Sequence, residues 1–241
     1  MATLLKAMAC LAVFFAMSAT GAAGENPAKP SDVTAIDILL KPDAVMIRHA
    51  TDNNARLLKA YPKGFMLDAA HTPHISLAQR FVRTQDLDKV YAAANEVLSR
   101  TNVRAMKLEA FKYYYAPGGS MGVAGIVARP TPELLKLQAD IIAAVARFTV
   151  ETGDSSAFVT TPDDPVIDPL LIDYVASFAQ KQTGAHFNPH VSTGVAPKAY
   201  LDQMLAEPFQ AFTFSPVGAA VYQLGQFGTA AKKLKDLELR P

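Results

Sequence analysis

Two short stretches, Pro73-His74-Ile75-Ser76 and Pro189-His190-Val191-Ser192, share one pattern: proline, histidine, an aliphatic residue, then serine. Residues two apart in a strand point to the same face. Each stretch, read as a strand, therefore sets an imidazole beside a hydroxyl, while Ile75 and Leu77, or Val191 and Val195, turn toward a core. A strand opening this way, followed by a short connector and a helix, occurs once in each half of the chain. Such a repeat implies two related lobes in a mixed α+β fold, and argues against a doubly wound sheet.

Hydrophobic periodicity supplies the remaining elements. Strands are expected at 35–40, ending at Lys41-Pro42-Asp43, and at 74–82 and 190–195. Helical patterns occupy 44–61 and 87–98, the second with Thr84 or Asp86 as its cap. A hairpin spans 106–115 and 122–128 about a longer loop at 116–120. Thr131-Pro132-Glu133 opens a helix with a capping hydroxyl, a first-turn proline and an acid at the positive end. An irregular stretch at 153–164 precedes a helix over 170–182, and Pro197 opens another. Strands at 212–214 and 218–224 lead to a polar end, where Lys232, Lys233 and Lys235 form a solvated face.

At the N-terminus, Lys6 precedes the apolar run 7–17 and the small residues 18–24, the three parts of a signal peptide. The expected organisation is a signal peptide over 1–24, a linker over 25–34 and one bilobal domain over 35–241. The apolar run is too short to span a bilayer. The mature protein is thus expected to be periplasmic or secreted, without stable membrane association. Cys10 is the single cysteine and lies in the leader, which leaves the mature chain no disulfide, thiolate ligand or cysteine nucleophile. The formal charge is +1, without the basic excess by which proteins neutralise many phosphates of a duplex. A small nucleotide or a short RNA end suits this balance.

Of the five histidines, His74 and His190 carry the shared pattern. Histidine titrates near neutrality, so one imidazole can accept a proton while its partner donates one. Ser76 and Ser192 can donate to phosphate oxygens and stabilise charge in a transition state. No metal or other cofactor is required. Arg80, at even spacing from His74 and Ser76, is a candidate phosphate ligand. Within Tyr113-Tyr114-Tyr115, Tyr113 and Tyr115 are candidates for a stacking surface under a base. Two other readings stand beside this one. The pairs His71/His74 and His186/His190 have spacings compatible with metal ligation, although Asn188-Pro189 breaks a helix at the second. A non-catalytic nucleotide-binding or RNA-end-binding protein would also keep the four residues.

The stretches His74-Ile75-Ser76-Leu77 and His190-Val191-Ser192-Thr193 resemble the duplicated His-aliphatic-Thr/Ser-aliphatic signature of the two-histidine (2H) phosphoesterases, the superfamily of 2′-5′ RNA ligase-like proteins and cyclic phosphodiesterases. The resemblance extends from about Ile36 to Leu234. It implies a bilobal, pseudo-twofold α+β fold with two antiparallel sheets around a central cleft and helices outside. It also implies metal-independent phosphodiesterase chemistry, on a 2′,3′-cyclic phosphate or a 2′-5′ linkage, with His74 and His190 catalytic. The sequence departs from the signature at Thr193, where an aliphatic residue is usual. The stretch between the motifs also carries the extra helix over 170–182.

Overall fold

A computed structural model describes residues 32–240; the expected signal peptide and all but the last three residues of the expected linker lie outside them. The chain runs β1 (Val33–Pro42), α1 (Ala44–Ala60), β2 (Ile75–Arg83), α2 (Leu87–Ser99), β3 (Leu108–Gly118), β4 (Met121–Ala128), α3 (Pro132–Val145), β5 (Thr149–Val150), α4 (Pro169–Lys181), β6 (His190–Pro197), α5 (Lys198–Ala206), β7 (Phe212–Phe214), β8 (Pro216–Leu224) and β9 (Ala230–Leu237). These strands form two sheets with antiparallel pairings throughout, in the orders β5-β2-β1-β8-β9 and β6-β4-β3-β7. The first motif thus heads a strand of one sheet, and the second opens an edge strand of the other.

β1 is the middle strand of the first sheet, and both of its faces are buried. Ile36, Ile38 and Leu40 enter the main core, where they join Val90, Leu98, Leu137 and Ile141 from α2 and α3. The opposite face carries Ala35, Asp37 and Leu39, all at 0 % exposure. Burial on two faces explains why this strand reads as an almost unbroken apolar run. Asp37 is the one charged residue in its interior, Lys41 lying at its end. α1 and α5 cover the second sheet, with Leu57, Leu201 and Met204 packed on Ala124 and Ala196.

Several expected boundaries shift for local reasons. β1 begins at Val33, so Val33 and Thr34 of the expected linker are strand residues. The hairpin loop at 116–120 reduces to a two-residue turn, because β3 and β4 stay paired as far as Gly118 and Met121. Gly119 turns it at φ 64°, a region glycine enters without a Cβ clash. Thr131 caps α3 as expected, accepting from the Leu134 N–H. Asp86 precedes α2 but makes no side-chain cap; its carboxylate binds Arg83 and Lys89 instead. The lysine-rich end forms the edge strand β9, whose Lys232, Lys233 and Lys235 stay exposed. Charged side chains on an edge discourage pairing with another chain.

Candidate active site

Pro73 and Pro189 stand before the histidines, and each biases the residue ahead of it, Thr72 or Asn188, toward extended backbone. His74 immediately precedes β2 and His190 is the first residue of β6. The two rings are anchored in the same way. Nδ1 of His74 lies 2.6 Å from the Thr72 carbonyl, and Nδ1 of His190 lies 2.8 Å from the Asn188 carbonyl. Each carbonyl belongs to the residue two positions upstream. A carbonyl can only accept, so Nδ1 carries a proton in both rings, and Nε2 is the nitrogen left for exchange.

The strands then distort alike. Ser76 pairs with Leu39 and Ala78 with Ile38, which leaves Leu77 as the extra residue of a β-bulge. Ser192 pairs with Gly125 and Gly194 with Ala124, which leaves Thr193 as the extra residue. Both bulges fall three residues beyond the histidine. A bulge shifts the side-chain alternation by one. Beyond it the cleft receives Gln79 and Val195, not residues at even spacing from the histidines. The shift takes Arg80 out of the site: its guanidinium donates to Thr149 Oγ1 of β5 at 2.9 Å. It likewise moves Val195, expected in the core, onto the cleft wall.

The departure at Thr193 has a structural cause. Thr193 is fully buried, and its hydroxyl accepts from Asn53 Nδ2 at 2.8 Å. Asn54 Nδ2 donates to the Thr193 carbonyl at 2.9 Å. Two adjacent asparagines of α1 thereby hold the second bulge. Gly194 follows at φ 146°, where a Cβ would meet Leu57 at 3.0 Å and Asn54 at 3.1 Å.

His74, Ser76, His190 and Ser192 line one cavity of about 320 Å³. Its walls are largely apolar and aromatic. Tyr114 of β3 stands 5.3 Å from the His190 ring centroid, and Leu170, Leu171, Tyr174 and Phe178 of α4 form the opposing side. The helix between the motifs is therefore a wall of the cleft. Tyr113 and Tyr115, the candidates from sequence, point the other way by strand alternation. Tyr113 packs edge-on against Phe209, and Tyr115 donates to Asp202 at 2.6 Å.

One residue of the site was not singled out from sequence. Asp37, fully buried on β1, gathers three groups on Oδ2: Ser76 Oγ at 2.5 Å, Gln79 Nε2 at 2.9 Å and His74 Nε2 at 3.2 Å. An acid inside an apolar strand was the available signal. Burial lowers the affinity of His74 for a proton, but the hydrogen bond and charge of Asp37, with the Thr72 carbonyl, outweigh it and raise the net value above the ordinary 6.5. His190 shifts the other way. Burial depresses it, the Asn188 carbonyl opposes that, the charge of His74 adds to the depression, and the charge of Asp37 weakly offsets it.

The remaining histidines lie elsewhere. His71 sits between Asp68 and Asp164, at 3.0 and 2.9 Å, and stacks on Phe65. His186 ends a 3-10 turn, and His49 stacks on Phe212 from α1. Among the described residues no three His, Cys, Asp or Glu side chains converge as a metal-binding group.

No protein-family model and no curated protein matches this sequence. Solved structures do. TT0787 of Thermus thermophilus superposes with a TM-score of 0.53 at 15 % identity, over 86 % of this chain and 98 % of that one. The chain has the 2H phosphoesterase fold. Weaker likenesses within the 2H phosphoesterases are E. coli LigT complexed with NADP+, at a TM-score of 0.42, 13 % identity and coverage of 87 % and 99 %, and Kluyveromyces marxianus Usb1, at 0.42, 10 % and the same coverage. A shared fold at such identities speaks for architecture, and the chemistry has to be argued from the site.

Proposed function

We propose that this protein is a metal-independent phosphodiesterase that opens a 2′,3′-cyclic phosphate or a 2′-5′ linkage, on a small nucleotide or an RNA end, by paired histidine acid–base catalysis. The observation that carries this reading is the matched anchoring of two imidazoles in one cleft, each with Nδ1 committed to a backbone carbonyl; Nε2 has no protein partner in His190 among the described residues and meets Asp37 in His74. One ring removes a proton from the attacking water while the other protonates the departing ribose oxygen. Ser192 has no hydrogen-bond partner among the described residues, and its hydroxyl is available to a phosphate oxygen. Tyr114 and Tyr174 offer aromatic faces to a base. The leader-like residues 1–24 extend the proposal to an exported enzyme.

The test is phosphorus NMR of the mature protein with 2′,3′-cyclic mononucleotides in EDTA, beside His74→Ala and His190→Ala. Conversion to one monophosphate isomer, reduced about a hundredfold or more in each variant, is expected. Turnover unchanged in both variants would overturn the proposal, and tight binding without turnover would make the protein a nucleotide-binding relative on the same fold.

A further inference from the structure

The bulges make the two lobes comparable residue by residue, and the comparison exposes an asymmetry. Beside the first bulge, Asp37 pairs across the ladder with Gln79; beside the second, Val123 pairs with Val195. The same structural position thus holds a carboxylate near His74 and a branched aliphatic side chain near His190. Val123 and Val195 both line the cleft, so its wall is apolar beside the second bulge at the position that is charged beside the first.

From this asymmetry, and building on the phosphodiesterase reading above, we infer that Asp37 is a positioning residue that keeps the proton on His74 Nε2, making His74 the general acid and leaving His190 the general base. A fully buried carboxylate needs a compensating cation or a dense set of donors. The one ion pair Asp37 makes among the described residues is with His74, at 3.2 Å. Ser76 and Gln79 complete the donor set on the same oxygen, which holds the carboxylate in place under the ring. No carboxylate bonds to His190 among the described residues; the charge of Asp37 reaches it only as the smallest of the influences on that ring, and its Nδ1 anchor is its single hydrogen bond there.

The titratable and charged groups around His74 are few. Asp37 comes from β1, His190 from β6, Tyr114 from β3, and Tyr174 and Asp168 from α4 and its cap. Asp168 caps α4, accepting from the Leu170 N–H. Burial, then the charges of Tyr114 and Asp37, push Tyr174 well above the ordinary tyrosine range; burial raises Tyr114 as well, and both stay neutral phenols. Apart from Asp168, whose carboxylate is held at the α4 N-terminus, the ionic balance of the cleft therefore rests on Asp37 and the two imidazoles.

In the step that follows, a water oxygen forms a bond to phosphorus as His190 Nε2 takes its proton. The bond from phosphorus to one ribose oxygen breaks, and the electron pair stays on that oxygen, which receives the proton from His74 Nε2. Products are a phosphomonoester and a free ribose hydroxyl. Solvent returns a proton to His74 and removes one from His190, restoring the starting state.

Two measurements on the full mature protein test the inference. The first is an NMR titration of the histidine ring protons without substrate, with the rings assigned through His74→Gln and His190→Gln. In the wild type His74 is expected to titrate at higher pH than His190, and Asp37→Asn should lower His74 while moving His190 far less. The reverse order in the wild type, or a His74 titration unmoved by Asp37→Asn, would overturn the inference. The second is the pH dependence of kcat/KM for a 2′,3′-cyclic mononucleotide. Asp37→Asn is expected to move the alkaline limb to lower pH and leave the acid limb in place. A uniform loss of rate with both limbs unmoved would reduce Asp37 to a structural residue. Should Asp37→Asn fail to fold, the wild-type titration order still decides. The titrations need no turnover, so an inactive wild-type protein would refute the phosphodiesterase reading while the proton placement remained measurable.

Discussion

Leu77 and Thr193 are structural counterparts: each is the unpaired residue of a β-bulge three positions beyond its histidine. One is held by the core, the other by hydrogen bonds. Leu77 is fully buried among Ile38, Ile75 and Val90, while Thr193 is fixed by Asn53 and Asn54 of α1. Both solutions deliver the same result, a serine one residue before the bulge and a cleft-facing side chain two residues after it.

The second bulge should depend on its polar anchor. Thr193→Val removes the acceptor of Asn53 and leaves a buried amide donor without a partner, at a cost of about 1–3 kcal/mol. Urea denaturation should show this loss, and Thr193→Ser should recover most of it. Gly194→Ala is expected to destabilise by about 1–3 kcal/mol as well, since its φ of 146° is strained for an L side chain and a Cβ would crowd Leu57 and Asn54.

The two serines should not be equivalent. Ser76 spends its proton on Asp37 at 2.5 Å, whereas Ser192 keeps its hydroxyl for the cleft. Ser192→Ala should lower kcat by about a hundredfold, the usual loss for one oxyanion donor, and Ser76→Ala by less than about tenfold. Steady-state kinetics on a cyclic mononucleotide distinguish them, and equal losses would mean that Ser76 turns toward substrate.

Binding of the base should follow the strand's facing residues. Tyr114→Ala removes an aromatic face beside His190 and should weaken substrate binding by about 1–3 kcal/mol, read as a rise in KM. Tyr113→Ala should leave KM unchanged, because Tyr113 packs on Phe209 outside the cleft. Arg80→Gln should likewise change kcat/KM by no more than a few-fold, its guanidinium being bound to Thr149.

Stability should record the proton held by His74. Its folded value lies above the unfolded value of 6.5, so the folded state binds the proton more tightly. That contribution is complete below pH 6.5 and disappears as pH rises through the higher folded value. The gap in unfolding free energy between wild type and His74→Gln should therefore be widest below pH 6.5 and should shrink toward alkaline pH. Urea melts at a series of pH values measure it; a gap that widened with pH would reverse the sign.

The pattern Pro-His-aliphatic-Ser, met twice, was enough to predict two strands that each set an imidazole beside a hydroxyl, because local geometry alone dictates that residues two apart share a face; the shared cleft came from the family resemblance. Thr131-Pro132-Glu133 likewise announced α3, since capping is satisfied within one turn. The facing of Arg80, Val195 and the three tyrosines was not legible. A bulge exists only when a partner strand pairs around the extra residue, and the phase of a strand is set by what covers each face. Asp37 is far from His74 in sequence and meets it through strand pairing between β1 and β2. Residue identity and spacing were enough to name the candidate proton-exchanging groups. Which of them holds the proton was decided by tertiary structure, because burial and a neighbouring carboxylate are properties of an assembled site and not of a motif.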